Sequence, residues 1–218
     1  MICSLSRVEQ DTVDVSLLGF KIDPKLTWKS HVEAVSSRLA RVIFLLRKLQ
    51  RIVTTPYMVT AYHALFHSHL NYGLRLWGHS PGCTEVLKLQ KKAVRIITSS
   101  GRLDHCMPLF IRLRILTVFS QYILHCLSSI KEDYRNYQRR EEIHTHATRS
   151  KGNLDIPRCR LSKTRDSFPS IGLRMFNRLP GHIQELPNKI FHSKLKDWLV
   201  TRPFYSIQEF FDEDMDIS

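Results

Sequence analysis

Asn71-Tyr-Gly-Leu-Arg-Leu-Trp-Gly78 is followed, eleven residues on, by Leu89-Gln-Lys-Lys-Ala-Val-Arg-Ile-Ile97. The second segment reads as a basic helix. At about 100° per residue, Val86, Leu87, Leu89, Ala93, Val94, Ile96 and Ile97 share one side of the wheel. Lys88, Lys91, Lys92 and Arg95 share the other. Gln90 falls in the middle of the apolar side. An amide buried without hydrogen bonds costs about 1–3 kcal/mol, so Gln90 must find partners. The expectation is a docked helix that turns a cationic stripe outward.

Working outward, the rest of the chain supports a mainly α fold. Residues 13–22 read as a short strand with Gly19 as a possible bulge, broken by Asp23-Pro24. Thr27 is the expected N-cap of a helix from Trp28 to about Val53. Its apolar positions Trp28, Val32, Val35, Leu39, Val42, Leu46 and Leu49 step 4-3-4-3, the period of a bundle seam. Lys29, Arg41, Arg47, Lys48 and Arg51 lie opposite. Thr55 and Pro56 predict the next helix start, with Gly73 ending it after about Tyr72. Pro81-Gly82 is a turn, Thr84 the expected cap of the basic helix, and Gly101 its expected stop. Pro108 opens a short helix. Thr117 caps another that runs to about Lys131.

Beyond this point the character changes. Residues 135–165 are basic, hold few large apolar groups and show no helical period, as in a linker or exposed loop. Leu154-Asp-Ile-Pro and Thr164-Arg-Asp-Ser-Phe168 are candidate short strands. Pro169 starts a helix ending at Leu179-Pro180, and a last amphipathic helix is expected from about Lys189 to Leu199. The acidic tail is expected to fray. The implied units are a strand remnant at 1–26, a helical bundle at 27–132, a less regular basic region at 133–203 with short strands and two or three helices, and a tail at 204–218.

Thirty-three Lys and Arg against 20 Asp and Glu give the 218 residues a net charge of +13. That balance points to a polyanionic partner, with nucleic acid ahead of an anionic membrane surface. No apolar run approaches the ~20 residues that span a bilayer. The first residues lack a signal-peptide apolar core, so an intracellular site, nucleus or cytoplasm, is expected over secretion. Cys3, Cys83, Cys106, Cys126 and Cys159 are widely spaced, which fits neither a disulfide framework nor a metal pair. They suit a reducing compartment.

Catalytic patterns are missing. Two-metal chemistry needs clustered carboxylates, and Glu9, Asp11, Asp14 and Asp23 form no adjacent pair. Asp212, Glu213, Asp214 and Asp216 are dense but lie in the tail. His63 and His67 are spaced as a zinc pair on a helix, but His69 points about 160° from His63 on a regular helix. There is no G-x-S-x-G elbow and no phosphate-cradling glycine loop. The reading is no catalytic residue, no metal site and no cofactor. Phe66, Tyr72 and Trp77 flank the basic helix and are candidates to stack bases at ~1–3 kcal/mol each. Core packing is the simpler reading of Trp77 and of Trp28.

Taken together, these landmarks resemble one family. Leu18-Gly-Phe-Lys-Ile-Asp-Pro-Lys-Leu-Thr-Trp-Lys-Ser-His31 is similar to a segment that follows the catalytic palm in non-LTR retrotransposon reverse transcriptases, those of the Jockey type above all. Asn71–Gly78, Leu89–Ile97, Thr148-Arg149, Phe176-Asn-Arg-Leu-Pro180 and Phe191-His-Ser-Lys-Leu-Lys196 resemble its later landmarks, in order, from about residue 15 to 200. Phe176 stands where the family usually has tryptophan. The family's Asp-Asp hairpin is absent, and with it the residues that use Mg2+ for RNA-directed DNA polymerisation.

The resemblance implies the end of a palm, a helical thumb and a post-thumb region, without fingers or most of the palm. Such a thumb holds a template–primer duplex by its backbone, in company with the palm and fingers. The residues expected to do so here are Arg47, Lys48, Arg51, Lys88, Lys91, Lys92 and Arg95. Replacing Lys91, Lys92 and Arg95 together is expected to lower the salt slope of binding by about 2–3. The alternative is a retroelement remnant, retained or decayed, acting as a helical interaction module with no nucleic-acid role.

Overall fold

The computed structural model describes residues 14–143 and 152–217. Cys3, Glu9, Asp11, Thr148 and Arg149 lie outside the described residues. The fold is mainly helical, with one two-stranded antiparallel sheet among the described residues.

β1 (Val15–Leu17) pairs with β2 (Phe20–Ile22), Leu17 opposite Phe20. Gly19 is therefore not a bulge. Leu18 (φ 49°) and Gly19 (φ 80°) form the two-residue connection, and positive φ at both positions matches the right-handed twist of a hairpin.

α1 (Lys29–Leu49) buries His31, Val32, Val35, Leu39, Val42, Ile43 and Leu46, the expected seam widened by His31 and Ile43. Its start differs from the expectation. Trp28, not Thr27, precedes the helix, with φ 62°. The Asp23 carboxylate accepts the N–H groups of Lys25, Thr27 and Trp28 at 2.8–3.2 Å. Asp23 thus holds the backbone that leads into the helix, while the Thr27 hydroxyl accepts the N–H of Lys29, the first residue of α1, at 3.4 Å. Burial opposes ionisation of Asp23, but these N–H donors outweigh it and hold its carboxyl below the ordinary range.

α2 (Thr55–Ala61) runs through a π-helical segment, Tyr62–His67, into α3 (Ser68–Asn71). Thr54 is the extended residue before α2, so the start lies one residue earlier than expected. α4 (Leu74–Trp77) follows Gly73. α5 (Cys83–Ile97) begins before Thr84, because the Ser80 carbonyl already accepts the Cys83 N–H and draws that side chain into the core. The chain leaves α5 through Ser99 (φ 53°), ahead of Gly101.

α6 (Met107–Leu113) and α7 (Val118–Glu132) are the short and long helices expected there. Thr117 caps α7 as predicted, accepting the Ser120 N–H at 3.1 Å. α7 is buried on nearly every side and packs on α4 and α5 as well as on α10 and α12 of the C-terminal part. One continuous core therefore joins the two halves. A 3-10 turn (Tyr134–Asn136) leads to α8 (Arg140–Ile143), α9 (Ser162–Asp166), α10 (Ser170–Phe176), α11 (Gly181–Gln184), α12 (Asn188–Thr201) and α13 (Ile207–Asp212).

Two expected strands are absent. Leu154 makes only an isolated bridge to Arg139, because the Asn177 side-chain amide takes both its N–H and its carbonyl at 2.8 Å. Residues 162–166 are the helix α9. The tail packs on the core as far as Ile217. Phe210 and Ile217 are buried, and the Glu213 carboxylate meets the Arg202 guanidinium at 3.1 Å. Aromatic contacts to Trp198 and Phe204 anchor Phe210, so apolar burial decides a segment that its acidic composition alone would leave loose. Among the described residues no single helix is long and apolar enough to cross a membrane.

Candidate nucleic-acid interface

The landmark motifs prove to be docking devices. The Phe20 ring lies against Gly73, where any Cβ would collide with it, and stacks on Tyr72 at 4.9 Å. The Tyr72 hydroxyl donates to the Leu18 carbonyl at 2.6 Å. Trp77 is fully buried and its Nε1–H donates to the Tyr72 carbonyl at 3.1 Å. The Tyr122 ring occupies the space that a side chain at Gly78 would need. Phe66 is buried too, so neither Phe66 nor Trp77 offers a face to a base. Tyr72, half exposed, already stacks on Phe20.

Gln90 finds the partners its position demanded. Its Nε2 donates to the Tyr62 hydroxyl and the Leu116 carbonyl, both at 2.8 Å, while its Oε1 accepts the Val118 N–H at 2.9 Å. One buried amide thereby joins α5 to the π-helical segment and to the start of α7. The face opposite is left for solvent.

α1 and α5 pack along each other in parallel. At one end a Cβ on Gly82 would meet Val32 Cγ1 at 2.9 Å. At the other, Gln50 Nε2 donates to Ser99 Oγ at 3.0 Å. Small residues on α1, Ser36, Ser37 and Ala40, keep the seam open to solvent as a groove of about 1090 Å3. Lys29 and Glu33 line it from α1. Glu85, Lys88, Lys91, Lys92 and Arg95 line it from α5.

The seven expected cations are not equally placed. Lys88 pairs with Glu85 at 2.6 Å, but both are exposed, so the pair holds loosely. Lys91 is partly buried, its ammonium 3.5 Å from the centre of the Tyr205 ring. Desolvation lowers its pKa. Arg95 spends Nε and Nη2 on the Asp104 carbonyl, at 3.1 and 2.8 Å. Lys92 is exposed in the groove. Arg47 follows Lys29 by five whole helical turns, so it continues the same face beyond Ala40. Arg51 lies on the turn after α1 and is exposed. Lys48 points further round, 5.2 Å from the Phe44 ring centre. Lys29, which is not among the seven expected cations, also lines the groove, from the polar face of the 4-3-4-3 pattern.

The histidines form a different feature. Within the π-helical segment the His63 and His67 rings are 5.4 Å apart. His67 meets Gln121 Oε1 at 3.4 Å, and Gln121 Nε2 lies 2.8 Å from His125. Burial lowers the pKa of all three, that of His125 to about 4, where Arg75, His67 and His192 add repulsion. Among the described residues no group of three or more His, Cys, Asp or Glu is arranged to hold a metal ion.

No protein-family model, curated protein or solved structure matches this chain.

Proposed function

We propose that the chain holds a nucleic-acid duplex by its phosphate backbone along the α1–α5 groove, as the thumb and post-thumb part of a reverse transcriptase of a mobile element would. The observation that carries this reading is the groove itself. Five cations, Lys29, Lys88, Lys91, Lys92 and Arg95, line one open channel against two carboxylates, one of them tied to Lys88. Arg47 and Arg51 extend the line at the far end of α1. Side chains of this kind contact phosphate, which positions a duplex without reading its sequence. The landmark residues that resemble the retrotransposon family serve this arrangement indirectly, by fixing the hairpin on Gly73 and α5 on its core. The reading assigns no nucleotidyl transfer to the described residues. Binding of the purified chain to duplexes of unrelated sequence tests it. Equal affinities and a steep loss with added salt are expected. Salt-insensitive binding, or none at low salt, overturns the reading.

A second reading, a helical module that docks on another protein, draws on one observation. Phe44, Ile52 and Tyr57 are more than half exposed around the end of α1 and the start of α2. Association that survives high salt and is lost in Ile52→Ser would favour it.

A further inference from the structure

A second cavity, of about 590 Å3, lies between the turn that precedes α1 and the segment around α9. Its size is that of small-molecule sites. Trp28, Leu76 and Phe168 give it apolar walls, while Lys25 and Lys163 bring donors to it; Arg75 lines it too, with one Nη donating to the Ser129 hydroxyl and its guanidinium 5.4 Å from the centre of the Phe168 ring. Among the described residues no carboxylate lines it. Asp166, close by in sequence, is engaged by Arg165 and Arg174 at 3.3 and 3.4 Å.

Three details indicate a built site. Lys163 Nζ donates to the Lys25 carbonyl at 2.7 Å, which ties the C-terminal segment to the N-terminal turn and leaves two ammonium donors unspent. His79 lines the cavity as a largely desolvated ring, its Nδ1 shielded and without a hydrogen-bond partner among the described residues; burial lowers its pKa, and the Asp166 carboxylate opposes that only in part. Leu26 (φ 50°) and Trp28 (φ 62°) both adopt the left-handed backbone that L side chains disfavour, at a cost on the order of 1–3 kcal/mol each. That conformation leaves the Leu26 side chain 57% exposed beside Leu161, 69% exposed, at the cavity. Folding gains little from two leucines in water.

We infer that this cavity binds a small organic phosphate, with an apolar ring against Trp28, Leu76 and Phe168 and the phosphate between Lys25, Lys163 and Arg75. Cationic side chains lining one apolar pocket that no carboxylate lines match a ligand that is apolar at one end and doubly charged at the other. The inference is independent of the α1–α5 groove, since the two cavities share none of these residues.

The test titrates the whole chain with 1-naphthyl phosphate, 1-naphthol and inorganic phosphate, followed by calorimetry and by the NMR signals of the His79 and Trp28 rings. Naphthyl phosphate is expected to shift both rings and to bind at least about tenfold tighter than naphthol or phosphate alone. The double variant Lys25→Ala/Lys163→Ala, at two exposed positions, is expected to lose about tenfold in affinity. Lys25→Arg/Lys163→Arg is expected to retain it. Competition with adenosine 5′-monophosphate and with phosphotyrosine tells a nucleotide from a phosphorylated side chain as the natural source. Unmoved His79 and Trp28 signals, naphthol binding as tightly as its phosphate, an unaffected double alanine variant, or displacement by neither competitor overturns the inference.

Discussion

Gln90 shows what a single residue contributes here. Its position on the apolar side of α5 demanded hydrogen bonds, and it makes three, to Tyr62, Leu116 and Val118. Replacing it by leucine strands those groups in a dry interior, each orphan costing about 1–3 kcal/mol. Burial of the leucine offsets part of this, so Gln90→Leu is expected to lose about 2–4 kcal/mol in urea denaturation, with α5 the first element to lose amide protection. Gly73 makes the complementary case. Its φ of 60° and the Phe20 ring above it both exclude a side chain. Gly73→Ala should cost about 1–3 kcal/mol, the range for backbone strain and overpacking. It should also expose Phe20 and Trp28, seen as a red shift in tryptophan fluorescence. Gln90 was legible because helical period alone fixes its direction. The reason for Gly73 was not, because it depends on a ring supplied more than fifty residues earlier.

At the scale of elements, apolar period was a sound guide and capping a poorer one. The seam of α1 and the core face of α5 lie where the 3.6-residue repeat puts them, since both helices bury one face against a common core. The starts of α1 and α2 moved by one residue and that of α5 by two. Asp23 and the Ser80 carbonyl act at α1 and α5 through contacts that a local cap rule does not include. The same limit explains the two missing strands, which had no neighbouring strand to pair with, and the tail, whose acids concealed the burial of Phe210. Phe210→Ala is expected to destabilise by about 3–5 kcal/mol, as for other buried aromatics. Release of α13 would then free Tyr205 and unmask Lys91. Enhanced proteolysis near residues 203–213 would report the loss, and an unchanged digestion pattern would show that α13 contributes nothing. Among the groove cations, wheel position predicted exposure correctly for Lys92. It did not predict the Tyr205 ring over Lys91 or the Asp104 carbonyl on Arg95, because both partners come from other parts of the chain.

For the molecule as a whole, two quantities can be measured. The first is the response to acid. His125, held to about 4 by burial and by the positive charge of Arg75, resists protonation in the folded chain, whereas an exposed histidine titrates near 6.5. The unfolded chain therefore binds more protons between those values. Stability is complete above about pH 6.5 and falls as pH drops toward 4, by about 3 kcal/mol from His125 alone. His67 and His63, also depressed by burial, act in the same direction. Urea midpoints at pH 7 and 4.5 measure this, and His125→Gln should flatten the difference.

The second quantity is the proposed grip on nucleic acid. Arg47, Arg51 and Lys92 are exposed and lie along the α1–α5 groove or its extension. Replacing them removes charge without removing packing, which makes them a cleaner set than one including Lys91 or Arg95. The decisive measurement is the dependence of log affinity on log salt for a random-sequence duplex, in the parent chain and in Arg47→Ala/Arg51→Ala/Lys92→Ala. The predicted result is a slope shallower by about 2–3, with weaker binding at low salt and an unchanged urea midpoint. An identical slope in the two proteins would contradict the account.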